Sequence, residues 1–340
     1  MRKEFYAACF FALTLLLVYG LVSPDAAEAA AKTKTIQIGH VNPNKPDDQY
    51  HRTAQLFADY TKELSGGTIV IEILAASQLG GEREMMEGMQ TGTVDGSVMT
   101  NLSIGLFEPK FHLFNLPFLF ATRTQAYAIL DDPEIMADLE KTLYENHNIK
   151  FLSWAEGGFR NVIQNVRPIN TLEDFKGIKL RLPETPIYVD TFRALASNPT
   201  TMAYSETFPA VQQKTVDGLE LPIISIRSSG YYEVCKYLSL TGHVYSPISI
   251  CLARSIWDGM SKEEQGWLME AAKKMTKEQR GFVQEIESKF LEEMSKAGLT
   301  VNEVKDKAPL RQAVQSVYDK YKKEIGPDLV DMVNKKLQAL

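Results

Sequence analysis

Thr35-Ile36-Gln37-Ile38-Gly39-His40 alternates polar and apolar side chains, the pattern of a strand with one buried face. Asp47 or Asp48 then stands where a helix N-cap belongs, ahead of a run carrying Ala54, Phe57, Ala58 and Leu64 at helical spacing. Gly66-Gly67 closes that helix, and residues 68–74, rich in β-branched side chains, return to strand. A helix over 81–91 and a short strand over 94–99 extend the alternation, which predicts a mostly parallel α/β sheet.

The pattern continues outward. Phe111-His112-Leu113-Phe114-Asn115-Leu116-Pro117-Phe118-Leu119-Phe120 is a dense aromatic run suited to core packing. Helices are expected over 123–130 and 133–146, and a strand over 149–155. Gly157-Gly158 is the first place where the chain can cross into a second domain. There α/β alternation restarts with strands over 159–164, 178–182 and 218–221, a helix after Pro186, and another over 206–213. Around 243–253 the chain returns to the first domain. Ser261 and Glu264 form a capping box for a helix over 262–296, stopped at Gly298. At 1.5 Å per residue it covers roughly 50 Å, enough to lie along both domains. Residues 310–340 form an amphipathic helical region with Val314, Val317, Tyr321, Ile325, Leu329 and Val333 as candidate buried positions, expected to pack on the second domain. The division is residues 33–157 plus about 246–285, and 158–245 plus about 286–340. Two α/β domains joined by crossing strands leave a cleft, where small molecules bind and hinge closure follows.

Arg2 and Lys3, the apolar run over 10–17, and the alanine-rich stretch over 26–31 compose a secretory signal peptide over 1–29, with cleavage after Ala29 or Ala31. The apolar core is shorter than the ~20 residues that span a bilayer. Cleavage is expected to free the mature protein on the far side of the membrane. The chain carries a net charge of −6 and no basic block, which argues against a nucleic-acid partner. Cys235 and Cys251 are the two cysteines left after cleavage; they can pair in an oxidising compartment or stay as buried thiols, Cys235 in a helix and Cys251 in an apolar strand.

Enzymatic signatures are missing. The chain has no Gly-x-Ser-x-Gly elbow, no His-Glu-x-x-His helix and no close cysteine–histidine cluster, and its five histidines are scattered. No organic cofactor or metal is expected. What the sequence offers is Asp174-Phe175-Lys176-Gly177-Ile178-Lys179-Leu180-Arg181-Leu182-Pro183-Glu184-Thr185-Pro186, which ends an apolar strand on Arg181 just before a proline-bounded turn. A guanidinium held there can receive a carboxylate through two parallel hydrogen bonds. Alone, the same arginine also fits a solvated strand end or a pair with a neighbouring acid.

Ser77-Gln78-Leu79-Gly80, Gly92-Thr93-Val94-Asp95, Gly158-Phe159-Arg160-Asn161, residues 174–186, Met202-Ala203-Tyr204-Ser205-Glu206, Val216-Asp217-Gly218-Leu219-Glu220-Leu221-Pro222 and residues 231–243 together resemble the solute-binding subunit of tripartite ATP-independent periplasmic (TRAP) transporters, over residues 35–340. The resemblance implies a two-domain periplasmic-binding-protein-like α/β fold with a hinged interdomain cleft and a long helix spanning both domains. It implies a non-enzyme that captures a small mono- or dicarboxylate and hands it to TRAP membrane permease subunits. A soluble sensor presenting its ligand to a signalling receptor is the alternative. A monomer is expected, with a dimer left open.

By the same resemblance Arg181 pairs with the ligand carboxylate. Arg160 is a second cationic contact or else an interdomain salt bridge, and the two arginines repel each other in an empty, open form. Glu220 orients Arg181 or accepts a ligand hydroxyl or ammonium. Thr100 and Asn101 at a strand end, Asn42 after the first strand and Glu184 beside the arginine strand are expected contacts. Trp154, Phe159, Tyr188, Tyr204 and Phe208 lie on segments that approach the cleft. Leu221 and Leu219 replace asparagine and glutamine often found in relatives, which substitutes an apolar wall for a polar contact.

Overall fold

The first strand, β1 (Lys34–Gly39), buries Ile36 and Ile38 and exposes Thr35 and Gln37, as its alternation demands. The computed structural model describes residues 33–340, so the expected signal segment lies outside the described residues. With β1, the strands β2 (Ile69–Leu74), β3 (Gly96–Thr100) and β4 (Ile149–Ala155) belong to one sheet. A second sheet takes β5 (Phe159–Gln164), β6 (Lys179–Leu182), β7 (Asn198–Thr201), β8 (Gly218–Pro222) and β9 (Tyr237–Tyr245). The chain then returns to the first sheet with β10 (Ile248–Ala253) and ends the second with β11 (Thr300–Glu303). The orders are β2-β1-β3-β10-β4 and β11-β9-β5-β8-β6-β7.

Both sheets are mixed rather than mostly parallel. β1 runs parallel to β2 and β3, and β6 to β7 and β8, but β10 is antiparallel to both its neighbours and so is β5. These two are the strands entered directly after a crossing, without an intervening helix to reverse the chain. The expected single return strand over 243–253 is two strands, broken at Ser246-Pro247.

The two crossings touch. Ser246 N donates to Gly158 O at 3.0 Å, and a Cβ on Gly157 would stand 1.9 Å from Ser246 O. Only glycine permits that approach.

The long helix, Lys262–Lys296, starts on the expected capping box: Ser261 Oγ accepts from Glu264 N at 3.2 Å, and Glu264 Oε2 accepts from Ser261 N at 2.7 Å. Leu268, Ala271, Ala272 and Met275 pack into the larger core with the first sheet, whereas Val283, Phe290 and Met294 join the core under β8 and β9. The helix therefore spans both layers.

The C-terminal helices, expected on the second domain, touch both halves. The Gln315–Ile325 helix packs on the Pro109–Asn115 turn of the first half and on the Pro186–Ala194 helix of the second, and the Pro327–Gln338 helix packs on Arg123–Leu130. Tyr318 Oη donates to Pro117 O at 2.8 Å, and Tyr321 Oη to Asp190 Oδ2 at 2.9 Å. The apolar stripe is wide enough to serve both halves. Cys235 and Cys251 are free and buried, and Cys235 follows the Tyr231–Val234 helix rather than lying in it.

Candidate functional site

The carboxyl ends of β1, β3, β6 and β8 face one cavity between the sheets, enclosing about 760 Å³ of atom-free space that opens to solvent at its mouth. Strand ends are where open α/β sheets present ligand sites. In β6, Leu180 and Leu182 point into the core while Arg181, on the opposite face, reaches the cavity with 3 % of its surface exposed. Its Nε and Nη2 donate to Met202 O at 3.1 and 2.7 Å, and its Cζ lies 5.8 Å from the Tyr204 ring centroid. No carboxylate among the described residues pairs with it, and Nη1 has no protein acceptor there. Burial, and secondarily repulsion from Arg160, pull its pKa below the ordinary arginine value, whereas Tyr231 and Glu220 oppose this. A buried, uncompensated cation of this kind costs free energy until an anion joins it.

Arg160 also lines the cavity but is already paired. Glu220 accepts from Arg160 Nε and, at 2.8 Å, from Nη2, whose second contact is Glu220 O at 2.8 Å. Burial opposes the charge on Arg160, yet Glu220 together with Tyr188 and Tyr50 outweighs it and the pKa rises. Burial likewise opposes ionisation of Glu220, but Arg160 and His243, whose Nε2 lies 3.1 Å away, carry its pKa below the ordinary value. Glu220 thus serves Arg160 and His243. It neither orients Arg181 nor faces the cavity, and the pair lies within one sheet rather than bridging domains. The compensated Arg160 also weakens the expected arginine–arginine repulsion.

Asn42, Thr100, Glu184 and Tyr204 line the cavity, and so does Leu221 as an apolar wall. Tyr204 Oη shares a 2.7 Å hydrogen bond with Ser229 Oγ, and burial pushes its pKa up to about 12. Besides Glu220, three expected contacts are elsewhere. Asn101 turns away from its neighbour Thr100 and donates to Phe111 O and Asn115 Oδ1, both at 2.8 Å, fastening the aromatic run. Trp154 is packed among Phe111, Phe114 and Phe151, and Phe208 lies against Tyr231 in the second core. Their large apolar rings bury more favourably there than at a wet cleft.

The sequence reading missed Glu82, Tyr50, Thr185 and Ser225, all of which line the cavity together with Ser103. Glu82 Oε1 accepts from Thr100 N at 3.0 Å and Tyr50 Oη at 3.3 Å, and Oε2 from Thr100 Oγ1 and Ser103 Oγ, both at 2.5 Å. An acid in the first turn of the Glu82–Thr91 helix, directly after Gly80-Gly81, was the available signal. Thr185 Oγ1 is buried without a partner among the described residues.

A polar seam closes the cavity on one side. Asn42 Nδ2 donates to Asp48 Oδ2 at 2.9 Å and to Ser225 Oγ at 3.2 Å; Gln49 Nε2 reaches Ser225 Oγ at 2.9 Å; Ser228 Oγ donates to Asp48 Oδ2 at 2.6 Å. The loop after β1 is thereby joined to the Ile223–Ser228 helix after β8. Asp48 also caps the Gln49–Leu64 helix, and burial, only partly offset by these donors, pushes its carboxyl up to about 6.

Two sheets joined by crossing strands, a cavity at their strand ends and an unpaired buried cation inside it define a solute-binding protein. The description of bacterial extracellular solute-binding proteins of family 7 (DctP) matches residues 38–324, and the chain belongs to that family, the solute-binding subunits of TRAP transporters. The family comprises periplasmic binding proteins and not enzymes. The chain is similar to the 2,3-diketo-L-gulonate-binding periplasmic protein YiaO of Escherichia coli (strain K12), with 29% identity over 94% of this chain and 96% of that one. Among solved structures, a TRAP periplasmic solute-binding protein from Polaromonas sp. JS666 bound to D-erythronate aligns with a TM-score of 0.84 and 35% identity, covering 88% of this chain and 98% of that one. One from Bordetella bronchispeptica, with density interpreted as pantoate, gives the same TM-score of 0.84, 35% identity, and 88% and 98% coverage.

Proposed function

We propose that this protein captures a small organic acid outside the cytoplasm by pairing its carboxylate with Arg181, closes over it, and delivers it to TRAP membrane permease subunits. The observation that carries the reading is Arg181 itself: a guanidinium 3 % exposed, inside a cavity, with no carboxylate partner among the described residues. A ligand carboxylate would convert the cost of that burial into a charge-assisted pair. The acids named for the similar proteins, erythronate, pantoate and diketogulonate, each carry the carboxylate that this pairing requires.

In this reading residues 1–29 export the precursor and are removed after Ala29 or Ala31, and the mature chain works as a monomer in the periplasm. Residues 33–157 with about 246–285, and 158–245 with the long helix's second half, move as the two lobes. The seam from Asn42, Asp48 and Gln49 to Ser225 and Ser228 supports this, because it is the contact that opening would break. Titration calorimetry of the mature protein with four- to six-carbon hydroxy acids and the corresponding neutral polyols tests the function. Saturable binding of acids and none of polyols is expected. Equal binding of a polyol would overturn the carboxylate pairing.

A further inference from the structure

We infer that the cavity is built for an acid with a single carboxylate, and that Glu82 is the residue that turns a second one away. The inference rests on the carboxylate reading above and sharpens it. Six acidic or basic side chains line the cavity: Glu82, Arg83, Glu84, Arg160, Arg181 and Glu184. The charge of Arg160 is met by Glu220, and exposed Arg83 pairs with Glu87 at 3.1 Å. Arg181 is left as the one lining cation without a counter-ion among the described residues, against three glutamates that have no cationic partner there. One free cation asks for one negative charge.

Glu82 is the fixed member of the three, since Glu84 and Glu184 are exposed at the rim. Four neutral donors, from Tyr50, Thr100 and Ser103, converge on its two oxygens. A carboxylate offers about four lone-pair sites, so these are filled and the group cannot rotate away. Its charge is not neutralised by any of them. A ligand held at Arg181 that ended in a second carboxylate would find Glu82 and the apolar Leu102, Leu106 and Leu221, and no cation that is not already paired. Like charges brought together in a water-poor site repel strongly.

The open polar atoms suit hydroxyl groups instead. Asp48 Oδ2 and Ser225 Oγ both take Asn42 Nδ2, which turns Asn42 Oδ1 into a free acceptor on the cavity wall. Thr185 Oγ1 is buried, lines the cavity and has no partner among the described residues.

Calorimetry on matched pairs tests the inference: D-erythronate against tartrate, and gluconate against glucarate, with erythritol as the neutral control. In wild type the monocarboxylate of a pair should bind at least about tenfold more tightly than the dicarboxylate, ~1.4 kcal/mol. Glu82→Gln should narrow that ratio at least about threefold by strengthening the dicarboxylate. Equal binding of both acids in wild type would overturn the single-carboxylate inference and leave the carboxylate reading standing. An unchanged ratio in Glu82→Gln would remove Glu82 from the selection. Failure of every acid to bind better than erythritol would bring down the carboxylate reading itself.

Discussion

Arg160 on β5 and Glu220 on β8 meet across one antiparallel ladder through two side-chain hydrogen bonds, with Glu220 fully buried and Arg160 3 % exposed. This pairing assigns different tasks to two arginines that look alike in sequence. Arg160 is a compensated part of the wall, and Arg181 is the open charge.

Removing one partner of such a pair leaves the other buried and alone, which typically costs about 3–5 kcal/mol. Glu220→Ala should therefore lower the urea unfolding free energy by that amount, and the Arg160→Met/Glu220→Leu double variant should recover much of the loss. If the double variant were as unstable as the sum of the single ones, the pair would not be coupled in the way described.

Arg181 behaves oppositely because it has no charged partner to strand, its acceptor being the neutral Met202 O. Arg181→Met should leave the unliganded melting temperature unchanged or raised, since a desolvated cation is removed. Ligand affinity should fall by roughly 30-fold or more, the usual penalty for truncating a buried charge-assisted contact. Affinity within threefold of wild type by calorimetry would take Arg181 out of the site.

Arg181 was legible because a strand-ending arginine before Pro183 has a defined place and chemistry. Trp154 and Asn101 were not, because the two-residue period of a strand tells that faces alternate and not which face meets the cleft. In β4 the register turns Trp154 toward Phe111 and Phe114. One residue after Thr100 the chain turns into a helix and carries Asn101 to the aromatic run. Glu82 was hidden by its ordinariness, for an acid in a helix's first turn needs no further reason to be there. β7 and β11 escaped because Asn198-Pro199-Thr200-Thr201 and Thr300-Val301-Asn302-Glu303 carry little apolar alternation at a sheet edge.

Asp48 gives stability a pH dependence of defined sign. Its folded pKa of about 6 lies above its ordinary 3.8, so between those values the folded state holds the proton more tightly than the unfolded one. The contribution is fully present below pH 3.8 and is lost as pH rises through about 6, an effect of up to about 3 kcal/mol. Stability measured from pH 7 down to pH 5 should therefore fall less steeply, or rise more, in wild type than in Asp48→Asn, which cannot titrate. Parallel profiles for the two proteins would exclude Asp48 as the source.

Two glycines with opposite surroundings test the geometry of the crossing between sheets. At Gly157 an added methyl would stand 1.9 Å from Ser246 O and 3.1 Å from its carbonyl carbon, backbone atoms that belong to the returning strand connection. Gly157→Ala must then push the two connections apart, and at least about 2 kcal/mol of stability should be lost. Gly266 lies in the long helix, where an added methyl would have nothing within 4 Å, so Gly266→Ala should gain up to about 1 kcal/mol by helix propensity alone. The connections also set the relative placement of β1's loop and the Ile223–Ser228 helix, so Gly157→Ala should weaken ligand binding while Gly266→Ala leaves it unchanged. Equal stability of the two variants in urea would mean that the crossing strands do not make the close approach on which the cavity's closed side depends.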